Sequence, residues 1–138
     1  VGAASAQLMD EVVGDVGFAA AKHFMDGSDR YLVAAGYWDG LSHDVDSLLL
    51  SVSSAGAGVQ LETRQRIRTS AAVDWEVCDV PSLYSNDRVF VAGNFIGPSK
   101  TYTWNTMTQQ LEEFSTLPTV GVSSLRCFHI NGTLYLAA

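Results

Sequence analysis

The chain is poor in positive charge. Eight Lys and Arg stand against fifteen Asp and Glu in 138 residues, a formal net charge of −7. That balance argues against nucleic acid as a partner, because no basic face is there to neutralise phosphates. The few basic residues are scattered, except for Arg64, Arg66 and Arg68. These alternate along one strand-like stretch and point to a solvated edge rather than an anion site. Cysteine is scarce too: Cys78 and Cys127 are too few for a disulfide framework and form no CxxC pair. No apolar run reaches the roughly 18 residues of a spanning helix, so direct membrane insertion is not expected. The three histidines, His23, His43 and His129, form no HExxH or other ligand pairing. A Gly-rich phosphate loop and a GxSxG nucleophile elbow are both missing. No catalytic residue can therefore be named. The sequence starts at Val1 with neither Met nor a signal-like segment, which suits a processed product or a fragment.

What the chain does have is a repeat. Val13-Gly14-Asp15-Val16-Gly17, Ile67-Arg68-Thr69-Ser70-Ala71 and Leu117-Pro118-Thr119-Val120-Gly121 align, each running from a branched aliphatic residue to one of minimal size. Downstream, Phe24 precedes Tyr31 by seven residues, and Phe128 precedes Tyr135 by the same seven. Tight-turn signals fall between them: Asp26-Gly27 and Asn131-Gly132, with Asn86-Asp87 in the middle copy. The middle copy carries extra residues around 81–85. The copies are 54 and 50 residues apart, measured from Val13 to Ile67 and from Ile67 to Leu117. That period lies near a four-stranded propeller blade and outside the shorter solenoid repeats. The repeats cover approximately residues 1–58, 59–108 and 109–138 of a single segment.

Strands are expected near 18–26, 30–36, 47–53, 59–68, 73–80, 88–94, 100–105 and 110–117, with the start of a third unit running to Ala138. Two stretches, 7–13 and 109–114, look locally like short amphipathic helices. Both occupy the repeat position of the alternating 59–67 stretch, so repeat position overrides local propensity. The runs 31–35 and 89–92 are almost continuously apolar, as strands covered on both faces are. Ala34, Ala35, Ala92 and Gly93 suit places where sheets crowd together. Tyr102 and Trp104 share a face by period two and are expected to pack on the following sheet.

The middle copy resembles the EAR repeat, also called the EPTP or epitempin repeat. The residues that carry the resemblance are Gln65, Ile67, Thr69, Ala71, Ala72, Asp74, Trp75, Glu76, Val91, Ala92, Asn94, Ser99, Tyr102, Trp104 and Asn105. The outer copies depart from the pattern, with Ala20 and Ser124 standing where Asp74 stands. The resemblance implies an all-β chain forming part of a β-propeller closed by about seven blades. This chain supplies about two and a half four-stranded antiparallel blades. The family is used for protein–protein interaction, mostly in secreted or cell-surface proteins, with no catalytic role. It also implies that aspartates at the position of Asp74 can line the central channel and hold calcium there. Calcium takes about six to eight oxygens, and one intact Asp in three copies is a thin supply. The other reading of Asp74 is an acid that accepts hydrogen bonds from backbone amides.

Among the other candidates, Asp39, Asp44 and Asp46 lack the spacing of an EF-hand and suit an Asx-type turn. Asn131-Gly132-Thr133 is a glycosylation sequon that coincides with a turn needing its Asn-Gly pair anyway. By alignment, Cys78 and Cys127 point to opposite faces of their own units, which sets them toward each other across one interface. Two buried thiols and a disulfide both remain open. The sequence thus points to a non-catalytic interaction module. Its partners would be other protein chains or the remainder of the ring. The alternative is a structural or accessory subunit of a large assembly, a membrane-associated one included, such as one in an organelle lumen. A hydrolase or lyase propeller would need more carboxylates than Asp74 and Glu76 at the channel mouth.

Overall fold

A computed structural model describes residues 16–81 and 86–138. The helix-like stretch at 7–13 lies outside the described residues. The described chain is all-β: β1 (Gly17–Asp26), β2 (Asp29–Trp38), β3 (Asp46–Ala55), β4 (Gly58–Arg68), β5 (Ala72–Pro81), β6 (Asn86–Asn94), β7 (Ser99–Asn105), β8 (Gln110–Leu117), β9 (Arg126–Ile130) and β10 (Thr133–Ala137). These form three antiparallel sheets, ordered β1-β2-β3-β4, β5-β6-β7-β8 and β10-β9. Within each sheet every strand pairs with its sequence neighbour, an antiparallel meander. Residues 110–117 are strand, not helix. Here the side chains of β8 and its pairing with β7 outweigh local propensity.

The sheets stack face to face in chain order. The first strands lie closest together, with β1 against β5 and β5 against β9, while β4 and β8 meet at the opposite margin. Between the first and second sheets sits an apolar cluster. It joins Phe24, Tyr31, Val33, Ala35, Leu49 and Ile67 to Ala72, Trp75, Phe90, Ala92, Tyr102 and Leu111. A second cluster lies between the second and third sheets: Cys78, Val91, Val122 and Leu125, flanked by Val89, Cys127, Leu134 and Leu136. The second sheet is thus covered on both faces, which explains the near-continuous apolar run in β6. Gly93 shows how close the approach is. A Cβ there would lie 3.0 Å from both Leu125 Cδ1 and Val122 Cγ1.

The first interface is aromatic. Phe24 and Tyr31 are cross-strand partners with stacked rings 5.2 Å apart. Phe90 meets Phe24 edge-on at 4.7 Å. Trp104 reaches both, at 5.1 Å from Phe24 and 4.9 Å from Tyr31. Tyr102 and Trp104 therefore pack back toward the first sheet, the reverse of the expected direction. Period two puts them on one face but does not say which neighbour that face meets.

Polar contacts fix the register between these sheets. Trp104 Nε1 and Thr106 Oγ1 each donate to Asp26 Oδ2 at 2.8 Å. At the far margin Gln65 imitates a strand: its Nε2 donates to Leu111 O, and its Oε1 accepts from Leu111 N, both at 2.8 Å. Trp75 is fully buried and donates from Nε1 to Ser47 Oγ at 3.2 Å.

Two outcomes follow from this packing. Trp75→Ala removes a buried ring and one of the hydrogen bonds to Ser47 Oγ, which keeps those with Gly36 N and Thr69 Oγ1; we expect a loss of about 3–5 kcal/mol, read by chemical denaturation. An unchanged midpoint would show that Trp75 is not between the sheets. The two donors hold the Asp26 carboxyl below the usual carboxylate range, Trp104 first and Thr106 second. A depressed folded-state pKa gives stability that is present above the unfolded-state pKa and lost as pH falls through the folded-state value. The stability gap between the native chain and Asp26→Asn should therefore be largest near neutrality and shrink in acid. A gap independent of pH would assign the effect to shape rather than charge.

Candidate interaction surface

The acids that drew attention in the sequence sit on β5, at the side where the first strands converge. Asp74 is 7% exposed. Its Oδ2 accepts from the Leu125 amide at 2.9 Å and lies 3.7 Å from Arg126 Nη1. Glu76 Oε2 shares the same guanidinium at 3.7 Å, and Glu76 Oε1 lies 3.9 Å from Lys22 Nζ. The two carboxylates thus span three sheets: Lys22 comes from β1, the acids from β5, and Arg126 from β9. Arg126 carried no sequence signal, because a partner about fifty residues away is set by sheet stacking rather than local pattern. Among the described residues, no three His, Cys, Asp or Glu converge in a group that suits a metal ion. A calcium ion at Asp74 would have to find its other oxygens elsewhere.

Cys78 and Cys127 are joined by a disulfide with Cα atoms 5.7 Å apart. Of the two states left open by the sequence, this is the bonded one. Sheets in face-to-face contact ordinarily lie about 10 Å apart, too far for the bond. Here β5 and β9 come together at the converging side. Just beyond, His129 Nε2 lies 3.1 Å from Asp79 O across the same interface.

The loops at the end of the sheets reached by β2, β4 and β6 are tied to one another. Ala71 N donates to His43 O at 2.7 Å, and Phe95 N donates to Ala71 O at 3.0 Å. Asp39 Oδ1 accepts from the amides of Leu41 and Ser42 at 2.8 and 2.7 Å, an Asx-type turn. These two amides hold the Asp39 carboxyl below the usual range. Asp44 and Asp46 pair with Arg68, at 3.6 and 3.1 Å. Arg64, Arg66 and Arg68 are all exposed on edge strand β4. Asn131 and Gly132 both have positive φ, 51° and 78°, and close the β9–β10 turn at the surface.

The most unusual surface is the outward face of the third sheet. Phe128 and Tyr135 are cross-strand partners, stacked at 5.6 Å with an interplanar angle of 14°. Phe24 and Tyr31 form the same pair in the first sheet, at 5.2 Å and 19°. The first pair is 5% and 2% exposed, whereas Phe128 and Tyr135 are 43% and 45% exposed, with Ile130 beside them at 51%. One side-chain pair thus recurs two sheets later without the Phe90 and Trp104 that cover its counterpart.

No protein-family model and no curated protein matches this chain.

The disulfide generates a direct check. The unreduced, denatured chain should take up no alkylating reagent, and reduction should expose two thiols. Two thiols before reduction would rule the bond out.

Proposed function

We propose that the chain is a segment of an EAR-like β-propeller and serves as a non-catalytic protein–protein interaction module. The carrying observation is the recurrence of Phe24–Tyr31 as Phe128–Tyr135, buried in one sheet and bare in another. Contiguous exposed apolar surface of this kind marks an interaction site. The order of stacking supports the reading. Each sheet presents the same face to the next, and the first strands gather on one side, as blades do around an axis. The partners are then other protein chains or the remainder of the ring. The Asp74, Glu76 and Arg126 cluster acts as a clip between blades in this account, not as a reaction centre. The disulfide suits an oxidising compartment and therefore a secreted or cell-surface setting. It suits an organelle lumen equally, which keeps the assembly-subunit reading alive. The number of repeats in the intact product separates the two: about seven support the interaction module, and three support the subunit.

The bare face has a consequence for the isolated chain. It should self-associate in sedimentation velocity, and Phe128→Glu should raise the monomer fraction. A monodisperse native monomer that unfolds cooperatively would contradict the proposal.

A further inference from the structure

We propose that the outer edge of β10 receives an extended polypeptide strand, donated as a β-hairpin with the side-chain alternation of this chain's own third and fourth strands. The proposal rests on the repeat reading above and adds the partner's chemistry and register.

The first two sheets supply the precedent. The second strand of each, β2 or β6, is central and takes an antiparallel third strand on the side away from the first. In the third sheet the equivalent strand is β10, and no described residue pairs with its outer edge. Its free groups follow from the turn. Ile130 and Thr133 flank a two-residue hairpin loop, so they exchange the first pair of hydrogen bonds. Inward and outward groups then alternate. Tyr135 bonds toward β9, and the N–H and C=O of Leu134 and Leu136 point away from it.

The precedents also specify the guest. Tyr135 matches Tyr31 and Val89, which face Ser51 and Thr103. Leu136 matches Leu32 and Phe90, which face Leu50 and Tyr102. The donated strand therefore carries a hydroxyl residue opposite Tyr135 and a large apolar residue opposite Leu136. Its apolar side chain would turn toward the second sheet. There Val89, Thr103 and Phe114 line an open groove of about 470 Å³. Phe114 is 70% exposed in that groove. Main-chain bonds supply the affinity of such strand addition, and alternate side chains its selectivity.

The probe is a synthetic peptide carrying residues 46–68 of this chain, the β3–β4 hairpin, added to the intact protein. Amide hydrogen exchange is read residue by residue. We expect exchange at Leu134 and Leu136 to slow by at least about tenfold, a change of roughly 1.4 kcal/mol, with little change at Tyr135. The same peptide N-methylated at Leu50 should give no protection, because the amide that meets Leu136 is blocked while every side chain is kept. Unchanged exchange at a saturating peptide concentration overturns the proposal. So does equal protection by the methylated peptide, which would mean that the apolar face merely holds the peptide by its side chains. Protection of the Leu134 and Leu136 amides that grows with protein concentration in the absence of peptide, and that persists in Phe128→Glu, also overturns it, by naming a second copy of the chain as the occupant of the edge. The result is independent of blade number. A ring with freely exchanging Leu134 and Leu136 amides would sink this inference alone, and a catalytic activity would sink the functional reading alone.

Discussion

Coverage of both faces of a sheet is the constraint on which the rest of the structure depends. A strand such as β6, apolar on both sides, is stable only between two other layers. The aromatic contact of Phe24 and Tyr31 with Phe90 and Trp104 meets that need on one side. The Cys78, Val91, Val122 and Leu125 cluster meets it on the other. Directional contacts then choose one arrangement among the many that apolar burial alone would accept. Asp26 takes both Trp104 and Thr106, Gln65 clasps the Leu111 backbone, and Asp74 holds the Leu125 amide. Each joins one sheet to the next, and each is made by a residue whose partner lies far along the chain.

The strands were legible in the sequence because their causes are local. Alternation, Asp26-Gly27 and Asn131-Gly132 turns and the threefold alignment mark them without any tertiary information. The alignment also placed residues 110–117 correctly as a strand against their helical appearance. Direction was less legible. Period two assigns Tyr102 and Trp104 to one face, yet which neighbour that face meets depends on the sense of stacking. The same limit applies to the cysteines. Their opposite parity followed from the alignment, but bonding depends on an approach of β5 and β9 that no spacing encodes. Bulges add a further loss. The register slips between Thr101 and Tyr102, where Ser115 and Glu113 are the partners and Phe114 is skipped. Phe114 is left 70% exposed. Of the site itself, Asp74 and Glu76 were legible as residues. Their shared cation, Arg126, and the link to Lys22 were not, since those arise only when three sheets converge.

The proposed function follows from an asymmetry in a repeated structure. The first sheet buries its aromatic pair, and the third displays the same pair to solvent. If the proposed repeat holds, the simplest cover for the third sheet is what already covers the first: another sheet carrying large apolar residues on its facing side. The acids of β5 fit the same view, because they pair with Lys22 and Arg126 where neighbouring sheets approach.

The most direct measurement is hydroxyl-radical footprinting of Phe128 and Tyr135 in the isolated chain and in the intact native assembly, with Phe24 and Tyr31 as the internal standard. The account predicts rapid modification of Phe128 and Tyr135 in the isolated chain. In the assembly they should be protected to the level of Phe24 and Tyr31. Equal modification of Phe128 and Tyr135 in both states would contradict it.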